Sequence, residues 1–402
     1  MFIMNNLKLI VSMTIVMAVF IRPNLNAQNV KKAFTHAEIQ ATQMLKEVEL
    51  AKVKMPENNK KESFVSPRTL ENGELKLVTS KDWTSGFFPG ELWYLYEYTK
   101  DAKWLNAAKA YTADIESEKL NNVTHDMGFK VYCSFGNAYR LTKNLKYKEV
   151  IIQAAKTLST RFNPKVGAIR SWDHNSDKWD FPVIIDNMLN LELLFEATVL
   201  TGDSTYHNIA VSHANTTLKN HFRADYSSYH VISYNPQTGE VEKRNTHQGY
   251  AHESAWARGQ AWGLYGYAMC YRYTKNPAYL KQAENIAEFI FTHKNLPKDL
   301  IPYWDFDATD IPNEPRDVSA AAVMASGLYE LSKYSSQSNY YKMKANKIIK
   351  NLAKNYTAEK GESRGFVLLH STGSKPSNSE VDVPIIYAEY YYLEALLRFK
   401  NL

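Results

Sequence analysis

The stretch TKDAKW, residues 99–104, decides the fold, because altered copies of it recur along the chain. Each copy follows one helical pattern and precedes another, and an aromatic ring stands five residues after the opening Thr or Ser. Asn or Asp at the third position of most copies suits the N-cap of the new helix, and the ring can fold back on the turn. The other copies lie at residues 142–147, 201–206, 274–279 and, in degenerate form, 335–340.

Around these turns the spacing of apolar residues predicts about twelve helices. Ile151, Ala154, Ala155 and Leu158, for example, share one helical face. A β-branched and aromatic run at residues 229–234 indicates a short hairpin insertion instead. The predicted helices cover residues 33–54, 85–98, 102–118, 128–142, 146–162, 183–201, 204–222, 255–274, 277–294, 317–334, 338–355 and 384–399.

Short turns and long loops alternate between these helices, which is typical of paired helices that repeat along a chain. Six such pairs predict an all-α fold of the (α/α)6 barrel type, a toroid of six helical hairpins. Inner helices would then be entered from the long loops, and all long loops would emerge on one rim, where a pocket forms. An open helical solenoid is the alternative, because periodicity alone cannot separate the two.

Composition narrows the function classes. The chain has 402 residues, 45% of them hydrophobic and 13% aromatic, so it can bury a large core. Aromatic rings either fill that core or line a cleft in which they stack on sugars. The formal net charge of +6 comes without a Lys/Arg run, so we expect no nucleic-acid partner. A mildly positive chain suits an anionic small substrate.

The N-terminus resembles a cleavable secretory signal. Lys8 precedes an apolar run at residues 9–21 that is too short to span a bilayer, and Ala27 suits the cleavage site. We therefore expect a signal peptide at residues 1–27, a single catalytic domain at residues 28–402, and an exported, periplasmic protein without a membrane anchor after cleavage. Cys133 and Cys270 lie in apolar helical contexts and are expected to be buried free thiols.

Two aspartates at helix starts are candidates for chemistry. Asp126 follows His125 before the fourth helix, and taken alone it suits an N-cap. Asp186 stands inside the apolar run at residues 184–188, where apolar surroundings raise the pKa of a carboxyl group. Such a group is a candidate general acid or base. In the toroid both aspartates would face the same cavity.

Residues 245–263 form the densest motif. Arg258 falls in the first helical turn, where it can grip a carboxylate in bidentate fashion. Trp262 lies one turn further on the same face, and Trp83 and Trp172 add rings to the same rim. The loop histidines lack metal-ligand spacing, so we expect no metal and no cofactor. They are His125, His174, His230, His247 and His252.

Together these motifs resemble glycoside hydrolase family 88, the unsaturated glucuronyl hydrolases. The resemblance runs in order from about residue 80 to residue 399, and the combination of motifs is more specific than any one of them. The matching stretches are WTSGFFPG at 83–90, HDMGF at 125–129, DNM at 186–188, HQG at 247–249, WARGQAW at 256–262 and EVDVP at 380–384.

The resemblance implies an (α/α)6 barrel that acts on oligosaccharides left by polysaccharide lyases. It implies hydration of the 4,5-double bond of a terminal unsaturated uronic acid, with Asp186 as the acid/base and Asp126 as the second essential carboxylate. A loop at residues 370–375 is a hypothesis for binding the next sugar through Ser371, Ser374 and Lys375. The other implied substrate-binding residues are Trp83, His125, Trp172, His230, His247, Gln248, Arg258 and Trp262.

Alternatives remain at this stage. The unsaturated rhamnogalacturonyl hydrolases share the barrel and the chemistry but act on pectin fragments. A non-catalytic glycan-binding toroid would not need two carboxylates in apolar surroundings, and a sugar epimerase would fit export poorly. The sequence leaves both a monomer and a homodimer open.

Overall fold

The computed structural model describes residues 26–54 and 63–402, which are mostly helical, with seven short strands. Every predicted helix is present with ends shifted by up to six residues, except that residues 128–136 of the predicted helix at 128–142 form a π-helical segment. Residues 1–25 of the predicted signal peptide lie outside the described residues, and the signal peptide stays a prediction. The helices are α1 Ala27–Lys54, α2 Phe87–Thr99, α3 Ala102–Ala113, α4 Asn137–Thr142, α5 Leu145–Ser159, α6 Asn187–Thr201, α7 Ser204–Asn220, α8 Ala257–Thr274, α9 Pro277–Thr292, α10 Val318–Ser332, α11 Ser338–Asn355 and α12 Ile386–Lys400.

The repeated turns behave as their residue types predict. In four copies the third residue caps the next helix by accepting a hydrogen bond from the backbone N–H two positions on. In the fifth copy Gln337 makes no such bond. Each of the four copies also ends the preceding helix with a residue in the left-handed region. The four caps are Asp101, Asn144, Asp203 and Asn276.

Helix packing follows the alternation of turns and loops. A π-helical segment, Gly128–Gly136, runs directly into α4, and it forms one set of central helices with α2, α6, α8, α10 and α12. Each member packs against the next in chain order, and α12 packs against α2 again. The helices α3, α5, α7, α9 and α11 each cover the central helix before them. All 15 residues of α10 are buried, as expected of a helix surrounded by others.

A three-stranded antiparallel sheet is inserted among the helices, and its strands are β5 Pro182–Ile184, β6 Val231–Tyr234 and β7 Val241–Asn245. It confirms the predicted hairpin at 229–234. The predicted helix start at residue 183 is wrong, because Val183 and Ile184 pair with β6 instead. The remaining strands form two small hairpins, β1 Phe64–Glu71 with β2 Glu74–Thr79 and β3 Phe162–Asn163 with β4 Ala168–Ile169.

Charged side chains link four of the central helices. Glu330 on α10 is 1% exposed and pairs with Arg272 on α8 at 3.2 Å and with Arg398 on α12. Arg272 also pairs with Glu192 on α6. Burial opposes the charged form of Glu330, but Arg398 and Arg272 outweigh it and lower its pKa to about 2. The side chains of this network are therefore ionised, and their ion pairs connect neighbouring helices.

Cys133 and Cys270 are both buried free thiols, as the sequence predicts. Within residues 26–54 and 63–402, the helices lack the combination of length and apolar character that crossing a bilayer requires.

Candidate active site

One cavity of about 420 Å³ collects most of the residues singled out in the sequence. Its walls come from the connections that precede α2, the π-helical segment, α6 and α8. Three of the long loops that the sequence predicts on one rim therefore do meet at this cavity, those before the π-helical segment, α6 and α8. The sequence-predicted residues in its lining are Trp83, His125, Asp126, Trp172, Asp186, His247, Gln248 and Arg258.

Asp186 stands where β5 ends and α6 begins, and its side chain caps no helix. The residue is 7% exposed, and its Oδ2 is buried without a hydrogen-bond partner among the described residues. Burial raises the pKa of this carboxyl group to about 6, although His125 and Arg258 pull it down. Asp186 can therefore hold a proton near neutral pH and present it to the cavity.

His230 lies behind the cavity lining, where its ring faces Asp186. Its Nδ1 accepts hydrogen bonds from the backbone N–H groups of His247 at 3.1 Å and Gln248 at 3.0 Å. Burial holds the pKa of His230 well below its usual value, so the ring is neutral and its proton sits on Nε2. That nitrogen is 3.6 Å from Asp186 Oδ2. The backbone of residues 247 and 248, just after β7, thus sets the tautomer of His230, and the remaining N–H is directed at the carboxyl group of Asp186.

Asp126 is kept as a carboxylate, in contrast to Asp186. Its Oδ2 accepts the Thr124 hydroxyl at 2.5 Å, and its Oδ1 lies 3.2 Å from His125 Nε2. Burial would raise the pKa of Asp126, but His125 and Thr124 lower it below the usual value. No side-chain cap forms at the start of the following helix, so the N-cap interpretation of Asp126 is wrong. The two aspartates are therefore held in opposite protonation states near pH 5.

Aromatic side chains form part of the cavity wall. Trp172 stacks on His174 with ring centroids 5.2 Å apart, and both line the cavity. Trp83 lines it too and packs 4.9 Å from Tyr387. Trp262 is fully buried and absent from the lining. The expectation that its ring lies at the cavity surface is therefore wrong. Flat rings in the wall suit the apolar faces of a sugar.

Arg258 is 1% exposed and already engaged within the protein. Its Nη1 donates to Asp317 Oδ2 at 2.6 Å and to the Thr372 carbonyl at 2.7 Å, while Nη2 donates to the Gly373 carbonyl at 2.6 Å. Both terminal nitrogens of Arg258, which were expected to bind a substrate carboxylate in bidentate fashion, therefore already donate hydrogen bonds within the protein. Arg258 pins the loop at residues 371–375 beside the cavity and adds positive charge near Asp186.

The three loop residues expected at the next sugar lie outside the cavity lining. Ser371 is fully buried, and its hydroxyl has no partner among the described residues. Ser374 bonds Ser377 at 3.1 Å, and Lys375 pairs with Glu314. The loop adjoins the cavity through the Gly373 carbonyl, which also accepts the Gln248 side chain at 3.1 Å.

Several residues of the cavity wall are not among those predicted from the sequence. Thr124 stands beside a motif and could have been included, whereas Lys81 and Asn121 belong to no motif. His174 was recorded only as a loop histidine, and its stacking on Trp172 needed the fold. The whole site offers a proton donor, an ionised carboxylate, flat rings and positive charge around one cavity.

Comparisons with known proteins agree with this chemistry. The family model of glycosyl hydrolase family 88 matches residues 56–397. An unsaturated glucuronyl hydrolase of Formosa agariphila is 55% identical over 327 residues, which are 81% of this chain and 82% of that protein.

Solved structures give the same answer. An unsaturated glucuronyl hydrolase specific for heparin superposes with a TM-score of 0.87 at 45% identity, covering 94% of this chain and 98% of the other. A mutant of the Streptococcus agalactiae unsaturated glucuronyl hydrolase, complexed with dGlcA-GalNAc6S, superposes with a TM-score of 0.75 at 31% identity and covers 94% and 93%. The resemblance seen in the motifs is confirmed, and the chain belongs to glycosyl hydrolase family 88.

Proposed function

We propose that this glycoside hydrolase is an unsaturated glucuronyl hydrolase that removes the 4,5-unsaturated uronic acid from the non-reducing end of lyase-generated oligosaccharides. The observation that carries the proposal is the pair Asp186 and Asp126, which share one cavity with opposite protonation preferences. Glycosaminoglycan fragments are the substrate class, because the similar solved structures include a heparin-specific enzyme and an enzyme complexed with dGlcA-GalNAc6S.

The reaction is hydration of the double bond rather than displacement at the anomeric carbon. Asp186 delivers its proton to C4 of the uronic acid, and water adds to C5 as the same carboxylate takes up a proton from it. The product at C5 is a hemiketal, which opens spontaneously and releases the neighbouring sugar. The proton that leaves water replaces the one delivered to C4, so the enzyme returns to its starting state without a cofactor.

The neighbouring groups support that proton transfer. Asp126 remains ionised and orients the sugar and the attacking water. His230 faces the Asp186 carboxyl group with its Nε2–H, and His125 bonds Asp126. Trp83 and Trp172 supply flat walls, while His247 and Gln248 reach the sugar hydroxyls from the loop after β7.

The loop that carries Ser371, Ser374 and Lys375 belongs to the proposal as the side next to the leaving sugar, which the partly exposed Ser374 and Lys375 would contact while Ser371 stays buried. Their support is the placement of Gly373, whose carbonyl contacts both Gln248 and Arg258 at the cavity wall. Trp262 belongs to the proposal as a buried residue that supports the cavity wall, where its ring centroid lies 5.2 Å from that of Phe129.

The proposed architecture is an (α/α)6 barrel, supported by the return of α12 onto α2 and by the TM-score of 0.87. Residues 28–402 form its single domain, acting as a monomer or homodimer. The proposal also includes export to the periplasm after cleavage of residues 1–27, with no membrane or nucleic-acid partner. N-terminal sequencing of the protein recovered from a periplasmic fraction tests this point, and an intact Met1 there would contradict it.

The activity is tested with lyase-generated disaccharides of chondroitin, heparin, hyaluronan, gellan, ulvan and pectin. The ultraviolet absorbance of the conjugated double bond should fall as the enzyme consumes at least one of the glucuronyl substrates. Consumption of the pectin product alone would favour the rhamnogalacturonyl alternative, and persistence of every chromophore would contradict the proposal.

Asp186→Asn supplies the mechanistic control, since it keeps the shape of the side chain and removes the proton. It should abolish turnover while substrate still binds and the circular dichroism spectrum is unchanged. Binding without turnover in the wild-type protein would favour the non-catalytic glycan-binding toroid.

A further inference from the structure

The cavity wall contains one cation that neither the sequence motifs nor the reaction explains. The terminal nitrogens of Arg258 already donate hydrogen bonds to Asp317 and to two loop carbonyls. Lys375 pairs with Glu314 and does not line the cavity. Lys81 is exposed and lines the cavity. Among the lysines and arginines that line the cavity in the described part of the chain, it is the one whose side chain makes no hydrogen bond or ion pair.

The backbone that carries Lys81 is held firmly in place. Glu118, 4% exposed, accepts hydrogen bonds from the Ser80 hydroxyl at 2.8 Å, the Asn121 amide at 2.7 Å and Lys130 Nζ at 2.8 Å. The Lys130 side chain is fully buried and also lies 3.5 Å from the Lys81 carbonyl oxygen. A buried ion pair thus fixes Lys81 and Asn121 as neighbouring parts of the wall.

The charge of Lys81 is not cancelled by the acidic residue beside it. Asp82 accepts a hydrogen bond from Arg68 at 2.7 Å and from the Thr84 backbone at 2.9 Å, so its carboxylate is already engaged. A fixed backbone with a free ammonium group beside flat rings is suited to a ligand that carries both a sugar face and an oxyanion.

Resting on the proposed function, we propose that Lys81 binds an oxyanion of the substrate and helps to determine specificity. The oxyanion is either the carboxylate of the unsaturated uronic acid, which every substrate carries, or a sulfate on the leaving sugar. In both cases Lys81 contributes to binding and leaves the proton transfer of Asp186 unchanged.

The test uses the full-length mature enzyme and two chondroitin disaccharides that differ only in sulfation of the leaving sugar. Lys81→Met keeps the length of the side chain and removes its charge, Lys81→Arg keeps the charge, and Lys109→Met removes an exposed lysine from α3. We expect Lys81→Met to raise KM about fivefold, the loss of an ion pair at a partly exposed site, with kcat changed less than twofold. Lys81→Arg should retain most of the wild-type affinity, and Lys109→Met should match the wild type.

The pattern across substrates identifies the oxyanion. A KM increase with both disaccharides assigns Lys81 to the uronate carboxylate, and an increase confined to the sulfated one assigns it to the sulfate. Added salt should weaken the difference between Lys81→Met and wild type. If Lys81→Met consumes the disaccharides that the wild type accepts with unchanged KM, the inference is wrong; if the wild type consumes none of the lyase-generated disaccharides, the proposed function itself fails.

Discussion

The pH dependence of kcat/KM follows from the state of Asp186, which must carry a proton to start the reaction. Burial raises the pKa of this carboxyl group from the usual value of an aspartic acid to about 6. The protonated fraction is then about 10% at pH 7 and about 1% at pH 8, whereas an unshifted aspartic acid would be less than ~0.1% protonated at pH 7. Burial therefore makes the proton donor about a hundredfold more abundant at neutral pH.

The sign of the pH dependence is fixed by that requirement. Because the protonated form is active, kcat/KM should be highest near pH 5 and fall tenfold for each unit above about pH 6. The pKa of Asp126 is lowered below its usual value, so its carboxylate remains ionised at pH 5. Protonation of Asp126 therefore causes the acidic limb of the profile, at a pH below the alkaline limb that Asp186 causes. The two limbs together define a bell-shaped profile.

The assay is the initial loss of chromophore absorbance at substrate concentrations below KM, from pH 4 to pH 9, with circular dichroism at each pH to exclude unfolding. Asp126→Asn provides the perturbation. Its residual activity should show an alkaline limb shifted to lower pH, because the negative charge of Asp126 raises the pKa of Asp186. A rate that stays constant from pH 5 to pH 8, or an alkaline limb near pH 4, would refute the assignment of Asp186 as the buried acid.

Three further changes test the framework and the leaving-sugar side. Glu330→Gln should lower the free energy of unfolding by about 3–5 kcal/mol in urea melts at pH 7, because it removes the buried carboxylate that pairs with both Arg272 and Arg398. The lowered pKa of Glu330 also predicts that wild-type stability is present above pH 4.5 and declines toward pH 2. Equal urea midpoints of the variant and the wild type at pH 7 would contradict the first expectation, and a wild-type midpoint that does not fall from pH 4.5 to pH 2 would contradict the second. Lys375→Ala should reduce the preference for sulfated over unsulfated disaccharides, and an unchanged ratio of kcat/KM values would remove Lys375 from the site. Gly86→Ala should destabilise the fold by about 1–3 kcal/mol in thermal melts, because its Cβ would stand 2.1 Å from the Lys130 carbonyl oxygen; an unaltered melting temperature would contradict this.

The sequence by itself determined the order of the helices and the turns between them. Those features depend on neighbouring residues: Asp101 and Asn276 cap the helices they precede, and apolar spacing marks the buried faces. Motifs near residues 125 and 186 could likewise be matched to a family, because the residues that define them are adjacent in the chain.

What only the tertiary structure decided depends on groups far apart in sequence. The tautomer of His230 follows from the backbone of residues 247 and 248, and the engagement of Arg258 follows from carbonyl groups more than a hundred positions away. That the Lys81 side chain makes no ion pair could not be predicted from its sequence neighbours, because it depends on which partners the other charged side chains of the site have. Local patterns predict helices because helices form from local interactions, whereas proton positions and free charges are properties of the assembled cavity.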